Sequence, residues 1–256
     1  MEDKVLNIFK TKSNINKALV FVDYEYWFYS YKNNYSMRPN LSAWRKALEN
    51  QYNIVDIMVF ADFSSPAIGE ELARLRSITN TIIETGTANQ KSKKDMTDFV
   101  MLDYIYQSVT DREDIGTYVI FTGDGHFQSV IKYLIQKCRK NVVVYGVDST
   151  FSKRLQMVAN NFVLLPSRKE IEDSQAALII KHFQKQGNRK TPQTYWDIID
   201  SVAKANNIPK ETVKSALLKL VANDYIHQKE IKQGKENLRV LVPNWDRIRM
   251  DGLNDN

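Results

Sequence analysis

Two aspartates stand where strand-like apolar runs end. Asp23 follows Leu19–Val22, and Asp124 follows Tyr118–Phe121 within the segment Phe121-Thr122-Gly123-Asp124-Gly125-His126-Phe127. The carboxyl ends of parallel strands share one edge of an open α/β sheet, where sites gather, so we expect the two carboxylates to form one cluster. Carboxylates at close range repel one another unless a cation neutralises them, and oxygen ligands suit Mg²⁺ or Mn²⁺. The pattern therefore predicts a divalent metal site.

Three further acids are candidates for this cluster. Asp95 and Asp98 are three residues apart at a predicted helix start and so share one face. Asp148 follows the apolar run Val142–Tyr145 and is a candidate fourth ligand. Asp is also a common helix N-cap, and capping is the alternative role, above all for Asp95 and Asp148.

The elements that would position these acids alternate between strands and helices. Short, β-branched, almost continuously apolar runs are typical of strands buried on both faces. The predicted strands are Ala18–Val22, Ile54–Ala61, Thr81–Thr85, Thr117–Phe121, Val142–Tyr145 and Phe162–Leu165. The predicted helices between them are Leu41–Asn50, Ile68–Ser77, Thr97–Ser108, Gln128–Cys138 and Lys153–Ala159. This alternation predicts an α/β domain over residues 17–166, with a mostly parallel, Rossmann-like sheet covered by helices.

The polar stretch Pro166–Glu170 predicts a domain boundary. The elements predicted beyond it are helices at Ser174–Gln184, Tyr195–Ala205 and Thr212–Asn223 and a hairpin of Ile226–Lys232 with Leu238–Val242. Three helices and a hairpin indicate a small winged helix-turn-helix domain, residues 174–245.

The composition is that of a soluble globular protein with a basic bias. The net charge is +6, and most of the excess of Lys and Arg falls in residues 174–256, which suggests a polyanionic partner, the alternative being simple solubility. No apolar run reaches the roughly 18 residues of a membrane span, and residues 1–16 lack the apolar core of a secretory signal. The single cysteine, Cys138, cannot form an internal disulfide. We therefore expect a cytoplasmic protein without a membrane partner.

The order of these motifs resembles the NYN domains, the LabA-like branch of the PIN nuclease superfamily. The similarity extends over roughly residues 17–166, and its most specific part is Gly123-Asp124-Gly125-x-Phe127. The other matching segments are Val22-Asp23, Lys94-x-x-x-Asp98-Phe99, Val142–Gly146, Ser152–Leu155 and Ala159–Phe162.

The resemblance implies a metal-dependent nuclease that acts on RNA through Mg²⁺ or Mn²⁺. Asp23, Asp98 and Asp124 match the family's metal-binding acids, and metal-assisted phosphodiester hydrolysis is the expected reaction. Two positions depart from the pattern. The family commonly has Asn where this chain has Tyr26, and a second acid where it has His126. His126 could instead bind the metal or a phosphate, and the departures leave open a domain that binds RNA without cutting it.

Aromatic and basic residues near the acids are candidate RNA contacts. An aromatic-rich segment follows Asp23, and we expect Tyr24 or Tyr26 to stack on bases, the alternative being a helix packed into the core. Lys91, Lys93 and Lys94 could hold phosphates, or form a solvated loop.

The second domain offers its own candidate nucleic-acid surface, with Lys210, Lys214 and Lys219 on the third helix and Lys235 in the hairpin. Its partner could be RNA, DNA or a protein. The resemblance thus implies an endoribonuclease, to which the second domain would add a nucleic-acid-binding module. A non-catalytic RNA-binding protein or a DNA-binding regulator is the alternative, and a homo-oligomer stays open.

Overall fold

The computed structural model describes residues 17–86, 96–186, 192–233 and 236–253. The chain divides into two compact units. Residues up to Leu165 form the first, and Pro166 onward forms the second, to which Tyr35–Met37 also belongs. The predicted roles of five residues lie outside the described ranges and stay predictions: Lys91, Lys93, Lys94, Asp95 and Lys235.

The first unit is built on a six-stranded sheet. Its strands are β1 (Lys17–Asp23), β2 (Asn53–Ala61), β3 (Thr81–Glu84), β4 (Thr117–Phe121), β5 (Asn141–Val147) and β6 (Asn161–Leu165). They lie in the order β3-β2-β1-β4-β5-β6, and every neighbouring pair is parallel. The predicted α/β fold with a parallel sheet is therefore confirmed. The strand order reverses between β1 and β4, and in such sheets ligands bind at the carboxyl ends beside that point.

Seven helices accompany the sheet in the part of this unit that the structure describes. They are α1 (Tyr24–Tyr35), α2 (Leu41–Glu49), α3 (Pro66–Gly69), α4 (Leu72–Arg76), α5 (Thr97–Asp111), α6 (Gln128–Gln136) and α7 (Lys153–Gln156). The single helix expected over Ile68–Ser77 is two short ones. The α1 helix directly after β1 is the core-packed helix that was the alternative for the aromatic segment. Its aromatic residues favour strands locally, but they form a helix because tertiary packing buries one face of it.

The sheet is buried on both faces. On one face Leu19 and Phe21 pack with side chains of α5 and α6, such as Ile105 and Ile131. On the other face the Trp27 ring of α1 stacks on Phe121, with 4.1 Å between ring centroids. Burial on both sides explains why the strands are almost continuously apolar.

The second unit contains the predicted helices and hairpin and one short helix that was not predicted. Its elements are α8 (Arg168–Gln186), α9 (Tyr195–Asn206), α10 (Lys210–Ala222), β7 (Ile226–Gln233), β8 (Glu236–Pro243) and α11 (Trp245–Met250). The two strands pair antiparallel. A core that includes Ile179, Ile198, Leu217 and Leu241 joins the helices to the hairpin.

The helix after β6 begins at Arg168, six residues before the predicted start at Ser174. Ser167 Oγ accepts a hydrogen bond from the Glu170 backbone N–H at 3.2 Å, and the Glu170 carboxylate accepts one from the Ser167 N–H at 2.6 Å. This reciprocal pair is a capping box, so α8 begins at Arg168 and the predicted boundary segment is mostly first helical turn. Within the described residues, no helix combines the length and the apolar character that a membrane crossing requires.

Candidate metal centre

The turn after β4 holds Asp124 in a fixed orientation. Asp124 precedes a short 3₁₀-helix, Gly125–Phe127, and its carboxylate accepts the His126 backbone N–H at 2.8 Å. Its own N–H donates to Thr122 Oγ1 at 3.2 Å. Phe127 is fully buried and anchors the far side of the turn. A side chain bonded in this way needs little reorganisation to act as a ligand.

The two glycines beside Asp124 are required by close packing. A Cβ on Gly123 would lie 2.3 Å from Tyr26 Cε2, and a Cβ on Gly125 would lie 2.7 Å from Ser152 Oγ. The Ser152 N–H also donates to the Gly123 carbonyl at 3.1 Å. The turn is therefore held between α1 and the segment after β5, which accounts for both the Gly-flanked acid and the Ser152 motif.

Three side chains converge at this turn. Asp98, in the first turn of α5, lies beside Asp124 and His126, and one potential ligand atom from each is within 4.8 Å of the others. The His126 Nδ1 atom is 3.1 Å from the Asp124 carboxylate. Burial, the largest influence, raises the pKa of Asp124, but the hydrogen bond from the His126 N–H and the interactions with the Asp98 and His126 side chains together lower it below its usual value.

The spacing fits a six-coordinate divalent ion. With ligand bonds of about 2.1 Å, adjacent ligands lie about 3 Å apart and opposite ones about 4.2 Å apart. The 3.1 Å between His126 Nδ1 and the Asp124 carboxylate matches an adjacent pair, and the three ligand atoms all lie within 4.8 Å of one another. Asp98, Asp124 and His126 could therefore hold one ion with little movement.

Asp23 lies at the same sheet edge. Val22 is level with Phe121 in the β1–β4 pair, so Asp23 is level with the start of the Asp124 turn. Asp23 is only 6% exposed, and its Oδ1 accepts the Tyr26 N–H at 3.0 Å, which caps α1. Its role as a ligand beside Asp98 and Asp124 stays a prediction.

Asp148 occupies an exposed position after β5. It begins a short 3₁₀-helix, Asp148–Thr150, and it is not part of the group of three found among the described residues. Its predicted role as a fourth ligand is not tested by this geometry and stays a prediction.

Glu25 positions the site and was missed in the sequence. Its Oε1 atom accepts the Asp62 backbone N–H at 2.6 Å and the Thr97 hydroxyl at 3.0 Å. Thr97 is the first residue of α5 and directly precedes Asp98, so Glu25 ties the Asp98 helix to the ends of β1 and β2. The sequence signal was only an acid two residues after Asp23, and its partners are distant in the chain.

Tyr24 cannot stack on a base, and that prediction is corrected. The residue is fully buried, and its hydroxyl donates to Glu71 Oε2 at 2.9 Å and accepts from Arg74 Nη2 at 2.9 Å. Burial raises the pKa of Tyr24 well above its usual value. Glu71, which also forms an ion pair with Arg74, is almost fully buried, so Tyr24 completes a buried polar network.

Tyr26 is half-buried and connects α1 to the end of β5. Its hydroxyl accepts the Val147 backbone N–H at 2.8 Å and the Thr150 hydroxyl at 3.0 Å. The ring packs over Gly123. Tyr26 stands at the position where the family pattern has Asn. Its role in binding RNA stays a prediction.

The predicted lysines of the second unit lie along α10, each beside an acid. The ammonium of Lys214 is also 5.8 Å from the ring centroid of Trp196, a side chain that is 60% exposed. The N–O distances are 2.8 Å for Lys210–Asp200, 3.5 Å for Lys214–Glu211 and 2.5 Å for Lys219–Glu172. Exposed pairs of this kind contribute about 0–1 kcal/mol, so a phosphate could displace the acids.

Comparisons with known proteins place the first unit in a family. The model of the NYN domain family matches residues 17–166. Among solved structures the chain is similar to a protein of unknown function from Vibrio parahaemolyticus, with a TM-score of 0.54 and 19% identity over 60% of this chain and 95% of that chain. At this identity the likeness shows the fold alone. No curated protein matches in sequence. The acids at the strand ends and the parallel sheet thus lie within the matched segment, and the chain belongs to the NYN domain family of PIN-like nucleases.

Proposed function

We propose that this protein is a metal-dependent endoribonuclease of the LabA-like branch. The observation that carries the proposal is the convergence of Asp98, Asp124 and His126 at the carboxyl edge of a NYN-type sheet. RNA is the proposed substrate because RNA cleavage is the activity that the family resemblance implies.

Each side chain of the centre has a distinct role in the proposed reaction. Asp98 and Asp124 hold Mg²⁺ or Mn²⁺ through their carboxylates, and the ion would supply activation of water and stabilisation of charge on the phosphate. The hydrogen bond from the His126 N–H holds the Asp124 carboxylate in place. Glu25 fixes the start of the helix that carries Asp98. We assign Asp23, buried at the neighbouring strand end, as the third carboxylate.

We further propose that the second unit is a winged-helix module that binds the nucleic acid. Three helices followed by an antiparallel hairpin support this assignment, with α10 in the position of the recognition helix and β7–β8 as the wing. Lys210, Lys214 and Lys219 all project from α10 and are at least 37% exposed. Release of their weakly held acid partners would make them available to phosphates.

The substitution Asp124→Asn tests the catalytic proposal. Cleavage of single-stranded and structured RNA is measured with Mg²⁺ and with Mn²⁺, and melting temperature is measured with and without metal. We expect Asp124→Asn to abolish cleavage, because the amide keeps the shape but loses the charge that a hard cation needs. Because a lowered pKa means that the charge of Asp124 stabilises the folded state, the variant should melt at or slightly below the wild-type temperature without metal, and should gain less stability when metal is added.

The matched control is Asp103→Asn, an exposed position on the same helix as Asp98 and outside the metal group. It should cleave at the wild-type rate. Full activity in Asp124→Asn would refute a catalytic role for this acid. Inactivity of the wild type, together with intact RNA binding, would favour a non-catalytic RNA-binding protein, the alternative suggested by Tyr26 and His126.

A further inference from the structure

We infer that His126 is a direct metal ligand and that it makes this centre prefer Mn²⁺ to Mg²⁺. The inference rests on the proposed metal centre and goes further, because it assigns the identity of the ion to one side chain. Family membership and the two acids do not by themselves predict a preference for Mn²⁺, because carboxylates accept both ions.

The geometry places the imidazole beside the carboxylate at ligand spacing. His126 Nδ1 lies 3.1 Å from the Asp124 carboxylate, which is close to the separation of about 3 Å between adjacent ligands of a six-coordinate ion. The backbone N–H of His126 is bonded to Asp124 Oδ1 at 2.8 Å, so both ligands come from one rigid three-residue turn. Asp98 approaches the same point from α5.

The environment of the ring suits a ligand better than a structural role. The His126 side chain is 79% exposed, whereas Asp124 is 36% exposed. An exposed imidazole gains little from a hydrogen bond to a carboxylate alone, because water competes for the same sites. A cation between the two groups would use the imidazole lone pair and both carboxylates together.

Ligand chemistry then decides which ion binds more tightly. Mg²⁺ demands near-ideal octahedral oxygen ligation and dehydrates reluctantly. An imidazole nitrogen is a softer donor that suits first-row transition ions. A centre with two carboxylates and one imidazole should therefore discriminate against Mg²⁺, and replacing His126 by Asp should restore a hard, all-oxygen set.

The test measures metal binding and not catalysis. Mn²⁺ is titrated into the full-length protein and followed by electron paramagnetic resonance, and Mg²⁺ is then added as competitor. Pulsed measurements on bound Mn²⁺ report whether a ¹⁴N nucleus is directly coordinated. The wild type should show coordinated nitrogen and bind Mn²⁺ more tightly than Mg²⁺. His126→Asp should lose the nitrogen signal and lower the Mn²⁺ preference by about tenfold or more, a typical scale for changes around a metal ligand.

Two alanine variants separate His126 from a histidine of the second unit. His126→Ala should lose the nitrogen signal, whereas His227→Ala, which removes a histidine paired with Asp224 in the second unit, should keep it. A nitrogen signal that persists in His126→Ala, or an unchanged ion preference in His126→Asp, would overturn the inference. Tight Mn²⁺ binding through nitrogen in a protein that cleaves no RNA would support it while refuting the ribonuclease. Failure to bind either ion would refute the metal centre itself.

Discussion

The packing of Tyr26 over Gly123 predicts that Gly123→Ala is strongly destabilising. A Cβ at this position would lie 2.3 Å from the ring, so the ring must retreat by about 1.1 Å to reach the 3.4 Å of an ordinary contact. The ring cannot do so freely, because its hydroxyl is bonded to Val147 and Thr150. Overpacking costs about 1–3 kcal/mol, and loss of one of these two hydrogen bonds costs about 1 kcal/mol more. We expect a total of about 2–4 kcal/mol.

Thermal and guanidinium unfolding of the full chain would measure this cost. For a unit of this size, about 2–4 kcal/mol corresponds to a fall in melting temperature of roughly 5–15 °C. A double-mutant cycle with Tyr26→Ala isolates the contact, because that background removes the three atoms nearest to the added methyl group. Gly123→Ala should then cost less than about 1 kcal/mol. A variant as stable as wild type, or an equal loss in both backgrounds, would refute the packing argument.

Three further predictions concern other parts of the chain. Replacing Lys214 and Lys219 together with Ala should weaken nucleic-acid binding and reduce its salt slope by about 1–2, measured by fluorescence anisotropy at several salt concentrations, and an unchanged slope would indicate a protein partner. Hydrogen bonds from the Thr194 side chain and backbone lower the pKa of Asp197, so their stabilising effect is present above the ordinary Asp pKa of about 3.9 and is lost as pH falls through the lowered value. Asp197→Ala should therefore destabilise the second unit by about 1 kcal/mol at pH 7 and by progressively less in acid, as followed by circular dichroism, and a pH-independent difference would contradict this. Tyr24→Phe should cost about 1–3 kcal/mol in guanidinium unfolding, because a buried carboxylate loses a donor, and no loss would show that the hydroxyl is dispensable.

The strands of the first unit were predictable because their signal is local. Val142–Tyr145 is a short apolar run rich in β-branched residues, and it lies within β5. The start of α1 was not predictable in the same way, since Tyr24 to Tyr31 is rich in residues that favour strands. Packing of Trp27 on Phe121, almost a hundred residues away, makes the helix the better solution. The early start of α8 was a missed local signal, the Ser167–Glu170 capping box.

The candidate centre was partly predictable for the same reason. Asp98 was recognisable from its position at a predicted helix start, and Asp124 from its Gly-flanked turn. The structure brings the two side chains together. The positioning role of Glu25 depends on Asp62 and Thr97, whose proximity only the folded chain creates. Tyr24 or Tyr26 was expected to stack on bases, with a helix packed into the core as the alternative. Tyr24 follows the alternative, because composition reports aromatic character but not which face of a helix is buried.

The strand order also sets when the centre can form during synthesis. β1 is made first but occupies the middle of the sheet, and its partner on one side, β4, begins about a hundred residues later, with Ala18 level with Thr117. Until β4 emerges, β1 is paired on one side only, with β2 and then β3 beyond it. The other side of β1 stays an unpaired edge that can pair with other chains. A nascent chain that ends before Thr117 has neither the Asp124 turn nor a completed sheet centre. Docking of β4 is thus the step that both closes the vulnerable edge and creates the metal centre, so a partly made chain cannot carry the proposed nuclease activity.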